Sequence, residues 1–194
     1  MNKPAFTFDP AAHVYRLGDT VLPSVTQILK CVGLLEYRGS NEYAMALGSA
    51  VHRACELWDN GTLDEERLED SIRPYLDAYK RFIAESGFEP VLIEQQIYHP
   101  DYLYAGTIDR VGILNNKHVL LDIKSGSPHP ATELQLAGYH ELLHVSVVDD
   151  PERAYILYLA NTGRYNLVPM EPRKHIATFL AALNVYRWKK EKNL

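Results

Sequence analysis

Asp122 and Lys124 stand two residues apart in VLLDIKSG, whose β-branched and aliphatic run points to a strand. Residues two apart on a strand leave the same face, so this carboxylate and ammonium project together while Leu121 and Ile123 point the other way. Asp109 closes GTID on what reads as the neighbouring hairpin strand. Two carboxylates on adjacent strands can hold one hard divalent cation with the lysine beside it. Such a set suits phosphodiester hydrolysis: the cation acidifies water and neutralises developing charge, while Lys124 orients that water or stabilises the oxyanion. An isolated D-x-K is ordinary on a solvated strand face. These charges instead follow a run expected to be buried, where they need partners or a metal.

A second pattern lies close by. His140-Glu141-Leu142-Leu143-His144 matches H-E-x-x-H, the spacing at which two histidines on one helix bind zinc. On a wheel of about 100° per residue, Gln135 and Tyr139 fall in the apolar arc with Leu134, Leu136, Leu142, Leu143 and Val145, facing the sheet. His140, Glu141 and His144 fall with Glu133 on the polar arc, toward solvent. A zinc protease directs its histidines into a cleft and needs a third ligand, for which only Glu171 or His175 can be nominated. The expected placement sets that chemistry aside.

The elements that must position these residues can be read in order. FTFD, HVYRL and TVL alternate as short strands, and LPSVTQILKCVGL offers Ser24 as N-cap and Gly33 as stop of a short helix. A long helix is expected from Ser40 to Asn60-Gly61. Thr62 and Glu65 have capping-box spacing, predicting a further helix to Gly87, bent near Pro74. Three strands follow, VLIEQQIYH, LYAGTIDRVGIL and KHVLLDIKSG, the last two joined by a turn at Asn115-Asn116. Then come a helix over 131–147, strands RAYILYLAN and RYNLVPM, and a closing helix. The order predicts one α/β domain over 1–194 with a mixed central sheet flanked by helices. Its parts are N-terminal strands and a short helix (1–35), a helical segment (40–87), an α/β core (90–170) and a C-terminal helix (171–194).

Composition bounds the function. At 194 residues and 46% hydrophobic content the chain can bury one sizeable core. It shows neither a membrane-span pattern nor a signal-peptide core, so a cytoplasmic protein without membrane partners is expected. Two cysteines, Cys31 and Cys55, cannot supply the four thiolates of an iron–sulfur cluster. A net charge of −5 argues against simple coating of nucleic acid but is compatible with an enzyme whose metal supplies local positive charge. Thirteen tyrosines offer rings that can stack on bases if exposed.

Gly48-Ser-Ala-Val-His52, Gly106-Thr-Ile-Asp109, Asp122-Ile-Lys124 and Gln135-Leu-Ala-Gly-Tyr139 together resemble, in order and spacing, the PD-(D/E)xK nuclease superfamily. The resemblance runs from about residue 22 to about residue 160 and is nearest to RecB-type nuclease domains, Cas4 exonucleases and phage-type or mitochondrial genome maintenance exonucleases. It implies a restriction-endonuclease-like core and a bacterial or phage-encoded, metal-dependent DNA exonuclease acting on single strands or ends in recombination, repair or phage replication. An endonuclease on the same fold and a non-catalytic DNA-binding subunit of a recombination complex are the alternatives.

By the same resemblance His52, Asp109, Asp122 and the backbone carbonyl of Ile123 would be metal ligands, and Lys124 the catalytic lysine. Gln135 and Tyr139 would support the site and the DNA strand, and Glu94 matches an auxiliary acidic position. This ligand set suits Mg²⁺ or Mn²⁺. Unlike some members, the chain lacks the thiolates for an iron–sulfur cluster. It also lacks a Walker motif, so no nucleotide cofactor is expected and any helicase, recombinase or single-strand-binding protein would be a separate partner. Arg53, Arg110, Arg187 and Lys189 are candidates for DNA contact, the last two in the basic, aromatic segment YRWKKEK. A cationic C-terminal helix end explains that segment as well.

Overall fold

The computed structural model describes residues 4–35, 42–146 and 151–194. Strands β1 (Phe6–Asp9), β2 (Val14–Leu17) and β3 (Thr20–Leu22) form an antiparallel meander. Their alternate residues Phe6, Phe8, Tyr15, Leu17 and Leu22 pack on Tyr98 and Ala105, and a hydrogen bond of 2.7 Å joins the Tyr15 hydroxyl to Thr107 Oγ1. Helix α1 (Val25–Cys31) begins as its spacing predicts. Ser24 Oγ accepts from the Gln27 N–H and the Gln27 side chain accepts from the Ser24 N–H, a complete capping box.

Helix α2 (Glu42–Asp59) stops before Asn60-Gly61; its expected start at Ser40 lies outside the described residues. The capping box predicted at Thr62 and Glu65 does not form. Asp64 caps instead a single 3₁₀ turn, Glu65–Arg67, and α3 begins only at Arg73, running to Ser86. Pro74 therefore sits in the first turn of α3 and bends nothing. In that turn its missing N–H had no intrahelical acceptor to lose, and its fixed φ already suits a helix.

The central sheet has the order β4 (Glu89–Tyr98), β5 (Ala105–Leu114), β6 (Lys117–Lys124), β7 (Arg153–Leu159), β8 (Tyr165–Met170). Neighbours are antiparallel except β6 and β7, whose parallel pairing requires a crossover, supplied by α4 (Ala131–Ser146). Asn115 and Asn116 both adopt positive φ, 51° and 59°, as the two-residue hairpin between β5 and β6 demands. After β8 a 3₁₀ turn, Pro172–His175, leads into α5 (Ile176–Glu191).

Two helical layers sandwich the sheet. On one side α1, α4 and α5 bury Ile28, Leu136, Leu142 and Phe179 against Ile108, Leu120 and Ile156. On the other, α2 and α3 bury Val51, Leu76, Tyr79 and Phe82 against Leu121, Ile123 and Leu157. The result is the single mixed α/β domain the element order predicts. Among the described residues no helix is long and apolar enough to cross a membrane.

Candidate active site

The site forms where β5 and β6 part. Their ladder pairs Arg110 with Leu121 and goes no further toward the site, so the next step sets Asp109 opposite Asp122. The Ile123 N–H there donates to Asp109 Oδ2 at 2.7 Å, a side chain doing the work of a strand. Ile108 packs with the α4 layer, whereas Arg110, two residues on, reaches Tyr79 and Asp59 in the α2 and α3 layer. Side-chain alternation is thus interrupted around Asp109, at the point where that residue must meet groups from both layers.

The Ile123 carbonyl lies 2.9 Å from His52 Nε2. A carbonyl only accepts, so Nε2 carries a proton and, in the neutral ring, Nδ1 is left with a lone pair. Nδ1 stands 3.7 Å from Asp109 Oδ2 and 3.7 Å from Glu94 Oε1. The Ile123 carbonyl, expected as a metal ligand, also fixes the imidazole, and its second lone pair stays available.

Glu94 comes to the same place from β4. Ile93 pairs with Arg110 and Gln95 with Ile108, which puts Glu94 opposite Asp109 across the ladder. Its φ of 48° is left-handed, an arrangement costing a non-glycine residue about 1–2 kcal/mol. From there its carboxylate joins His52 and Asp109, the three potential ligand atoms lying within 4.8 Å of one another. The resemblance implies an auxiliary acidic position for it, and its place beside Asp109 is one that sequence separation hides.

Asp122 is nearly inaccessible, 1% exposed, and its Oδ2 lies 2.6 Å from Lys124 Nζ. Burial raises the Asp122 pKa above the carboxylate range, with Lys124 opposing. Burial alone would lower the pKa of Lys124, but Asp122 and Asp109 outweigh it and hold the ammonium charged. For His52 burial is likewise the largest effect and would lower its pKa; Asp109 and Glu94 override it and raise it.

From α4, Gln135 and Tyr139 face the sheet as the wheel predicts, Gln135 Nε2 donating to the Tyr139 hydroxyl at 2.9 Å. The Tyr139 ring lies so close over Gly106 that a Cβ there would sit 2.9 Å from Cε1. Burial pushes the Tyr139 phenol above its ordinary pKa, so it stays a neutral hydrogen-bonding group. Beyond Lys124 the strand ends open into a cleft of about 360 Å³ lined by Gly126, Pro128, Tyr158, Arg164 and Tyr165. Tyr158 is the register partner of Lys124 on β7.

The candidates for DNA contact differ in exposure. Arg110, nominated for DNA contact, is fully buried and cannot touch a strand; its guanidinium is held by Asp59, Glu94 and the Asp109 carbonyl. Arg53 is exposed next to His52 and pairs with Glu56 at 2.7 Å. Arg187 donates to the Tyr102 carbonyl, and Lys189 donates to the Cys31 carbonyl at 2.7 Å, closing the end of α1.

The H-E-x-x-H face of α4 is not the solvent face predicted for it. His140 is buried and receives Arg173 Nε from the 3₁₀ turn at 3.4 Å, Glu141 turns toward His99 at 3.9 Å, and only His144 of the three is exposed. A wheel ranks one helix by polarity and cannot foresee that the chain returns over it. Sequence reasoning also missed Asp59, although it lies seven residues, two turns, along the face of α2 that carries His52.

One imidazole nitrogen and two carboxylates within 4.8 Å, with Asp122 Oδ1 buried and lacking a hydrogen-bond partner among the described residues, fit a hard divalent cation. No family model matches the chain, and no curated protein matches it in sequence. Among solved structures it is similar to the alkaline exonuclease LHK-Exo from Laribacter hongkongensis, at 15% identity and a TM-score of 0.42, covering 89% of this chain and 93% of that one. The structure of LHK-Exo in complex with dAMP is similar over the same shares, at 14% identity and a TM-score of 0.41. At such values functional assignment rests on the geometry of the site.

Proposed function

We propose that this protein is a divalent-metal-dependent nuclease of the PD-(D/E)xK type that hydrolyses DNA phosphodiester bonds as an exonuclease, on single strands or ends. The observation that carries the reading is the convergence of His52, Glu94 and Asp109 within 4.8 Å beside the ion pair of buried Asp122 and partly exposed Lys124. Bound there, Mg²⁺ or Mn²⁺ supplies positive charge against the phosphate and acidifies nearby water.

The chain's own groups do the rest. His52 offers Nδ1 because Ile123 holds Nε2, and Asp109 offers a carboxylate that the Ile123 N–H prevents from rotating away. Lys124 keeps its proton and is held by Asp122, so its ammonium donates to a water aligned for attack or to a phosphate oxygen as charge develops. Tyr139, supported by Gln135, supplies a neutral donor at the same face. Exposed Arg53, next to His52, would meet the backbone of an incoming strand.

Digestion of 5′- and 3′-labelled single- and double-stranded oligonucleotides, with closed circular single strands alongside, tests this in Mg²⁺, Mn²⁺ or chelator. Cation-dependent loss of linear DNA from an end, with circles spared and Asp122→Ala and Lys124→Ala folded but inactive, is expected. Absence of cleavage with either cation, or full activity in Lys124→Ala, refutes the proposal, and rapid cutting of circles replaces exonuclease by endonuclease.

A further inference from the structure

Glu94 reaches the ligand cluster from a left-handed backbone, and what holds it there is Arg110, which has no solvent exposure. One guanidinium nitrogen, Nη1, donates at 3.0 Å to Glu94 Oε1 and at 2.5 Å to the backbone carbonyl of Asp109. It therefore ties the carboxylate of one donor to the backbone of the next. Nε donates to a further acid, Asp59 Oδ2, at 2.7 Å, and the same oxygen receives the Tyr79 hydroxyl at 2.8 Å. The Tyr79 ring lies against the guanidinium, 5.8 Å from its centroid to Cζ. The network thus joins α2, β4 and β5, the three elements that supply His52, Glu94 and Asp109, and anchors them to α3.

We propose that Asp59, Arg110 and Tyr79 form a positioning unit that sets the cation affinity of the His52–Glu94–Asp109 cluster by controlling how far Glu94 is drawn toward Arg110; the proposal rests on reading that cluster as a cation site. A buried guanidinium draws in whatever carboxylate lies within reach. With Asp59 in place, Arg110 shares its charge between two acids and leaves the Glu94 carboxylate poised at the cluster. Without the Asp59 charge, Arg110 pulls Glu94 into a tighter ion pair and away from the other donors. The pair on α2, Asp59 and His52, then acts as one rigid part: one residue donates to the cluster and the other limits the competitor for its neighbour. Tyr79 keeps Asp59 turned toward the guanidinium.

Titration of Mn²⁺ into the full chain, with the free ion read by electron paramagnetic resonance, tests this on wild type, Asp59→Asn, Tyr79→Phe, Glu94→Gln and the Asp59→Asn, Glu94→Gln double variant. Melting without cation reports folding for each. Asp59→Asn is expected to weaken Mn²⁺ binding about 10- to 100-fold and Tyr79→Phe by less, whereas Asp59→Asn adds nothing once Glu94 is Gln. Wild-type affinity in both Asp59→Asn and Tyr79→Phe overturns the positioning role alone. An Asp59→Asn effect of equal size with and without Glu94 also overturns it, because the residue then acts on the fold and not through Glu94. Failure of the wild type to bind Mn²⁺, or wild-type binding by Glu94→Gln, overturns the cation-site reading and this proposal with it.

Discussion

Gly106→Ala is a one-carbon test of how the helix α4 is seated on the strands that carry Asp109 and Asp122. The added Cβ would lie 2.9 Å from Tyr139 Cε1 and 3.1 Å from Leu142 Cδ1, where ordinary contact begins at 3.4 Å. Neither neighbour is a loose side-chain end: Leu142 is fully buried, and the Tyr139 ring is buried with its hydroxyl tied to Gln135. Both must retreat together by some tenths of an ångström, so α4 has to lift from the sheet or the ring has to tilt. Overpacking of this kind costs about 1–3 kcal/mol. For a chain of this size that is a fall in melting temperature of roughly 2–12 °C. The same displacement moves the Tyr139 hydroxyl near Lys124 and Asp122, and a misplacement of that order lowers kcat by about tenfold. Calorimetry and a linear single-strand digestion assay read the two effects separately. A variant melting within experimental error of wild type at full activity would refute the packing of Tyr139 over Gly106.

Lys124→Met keeps the aliphatic stem but removes the ammonium held by Asp122, and kcat on labelled oligonucleotides should fall by about 100- to 1000-fold while circular dichroism stays native. Burial pushes the Cys55 thiol up to about 12, so iodoacetamide at neutral pH should label Cys55 only after denaturant is added, as mass spectrometry of the tryptic peptide would show. Labelling of native protein at that residue would contradict its place in the core. His99 is buried, and its Nδ1 accepts the N–H groups of Asp101 and Tyr102 at 3.1 and 3.0 Å, so protonation there sets three donors against one another. Burial lowers its pKa despite Glu141, which means that the unfolded chain takes the proton first. Its contribution to stability is full above the unfolded value of about 6.5 and is lost as pH falls from there through the folded value. Urea unfolding across this range should show a steeper acid loss for wild type than for His99→Asn, which does not titrate.

Local rules carried much of this protein. Ser24 and Gln27 form the capping box their spacing requires, Asn115-Asn116 turns the hairpin, and the apolar face of α4 carries Gln135 and Tyr139 to the sheet. These succeed because caps, turns and helix faces depend on neighbours within about one turn of chain. Asp122 and Lys124 were legible for the same reason, since a strand's period of two sets their common direction. Local rules also misled: Thr62 and Glu65 had the spacing of a cap that Asp64 took, and the polar face of His140 was covered by a turn more than thirty residues later.

By itself the sequence determined the order of the elements, the acid–lysine pair and the histidine on its long helix. Only the tertiary structure decided that Glu94 belongs with His52 and Asp109, that Ile123 fixes the imidazole, and that Arg110 lies beneath the site and never reaches solvent. The physical reason is distance along the chain. Glu94 and Asp109 meet across an antiparallel ladder, His52 arrives from a different layer, and a buried arginine is distinguished from a surface one only by the acids that close around it.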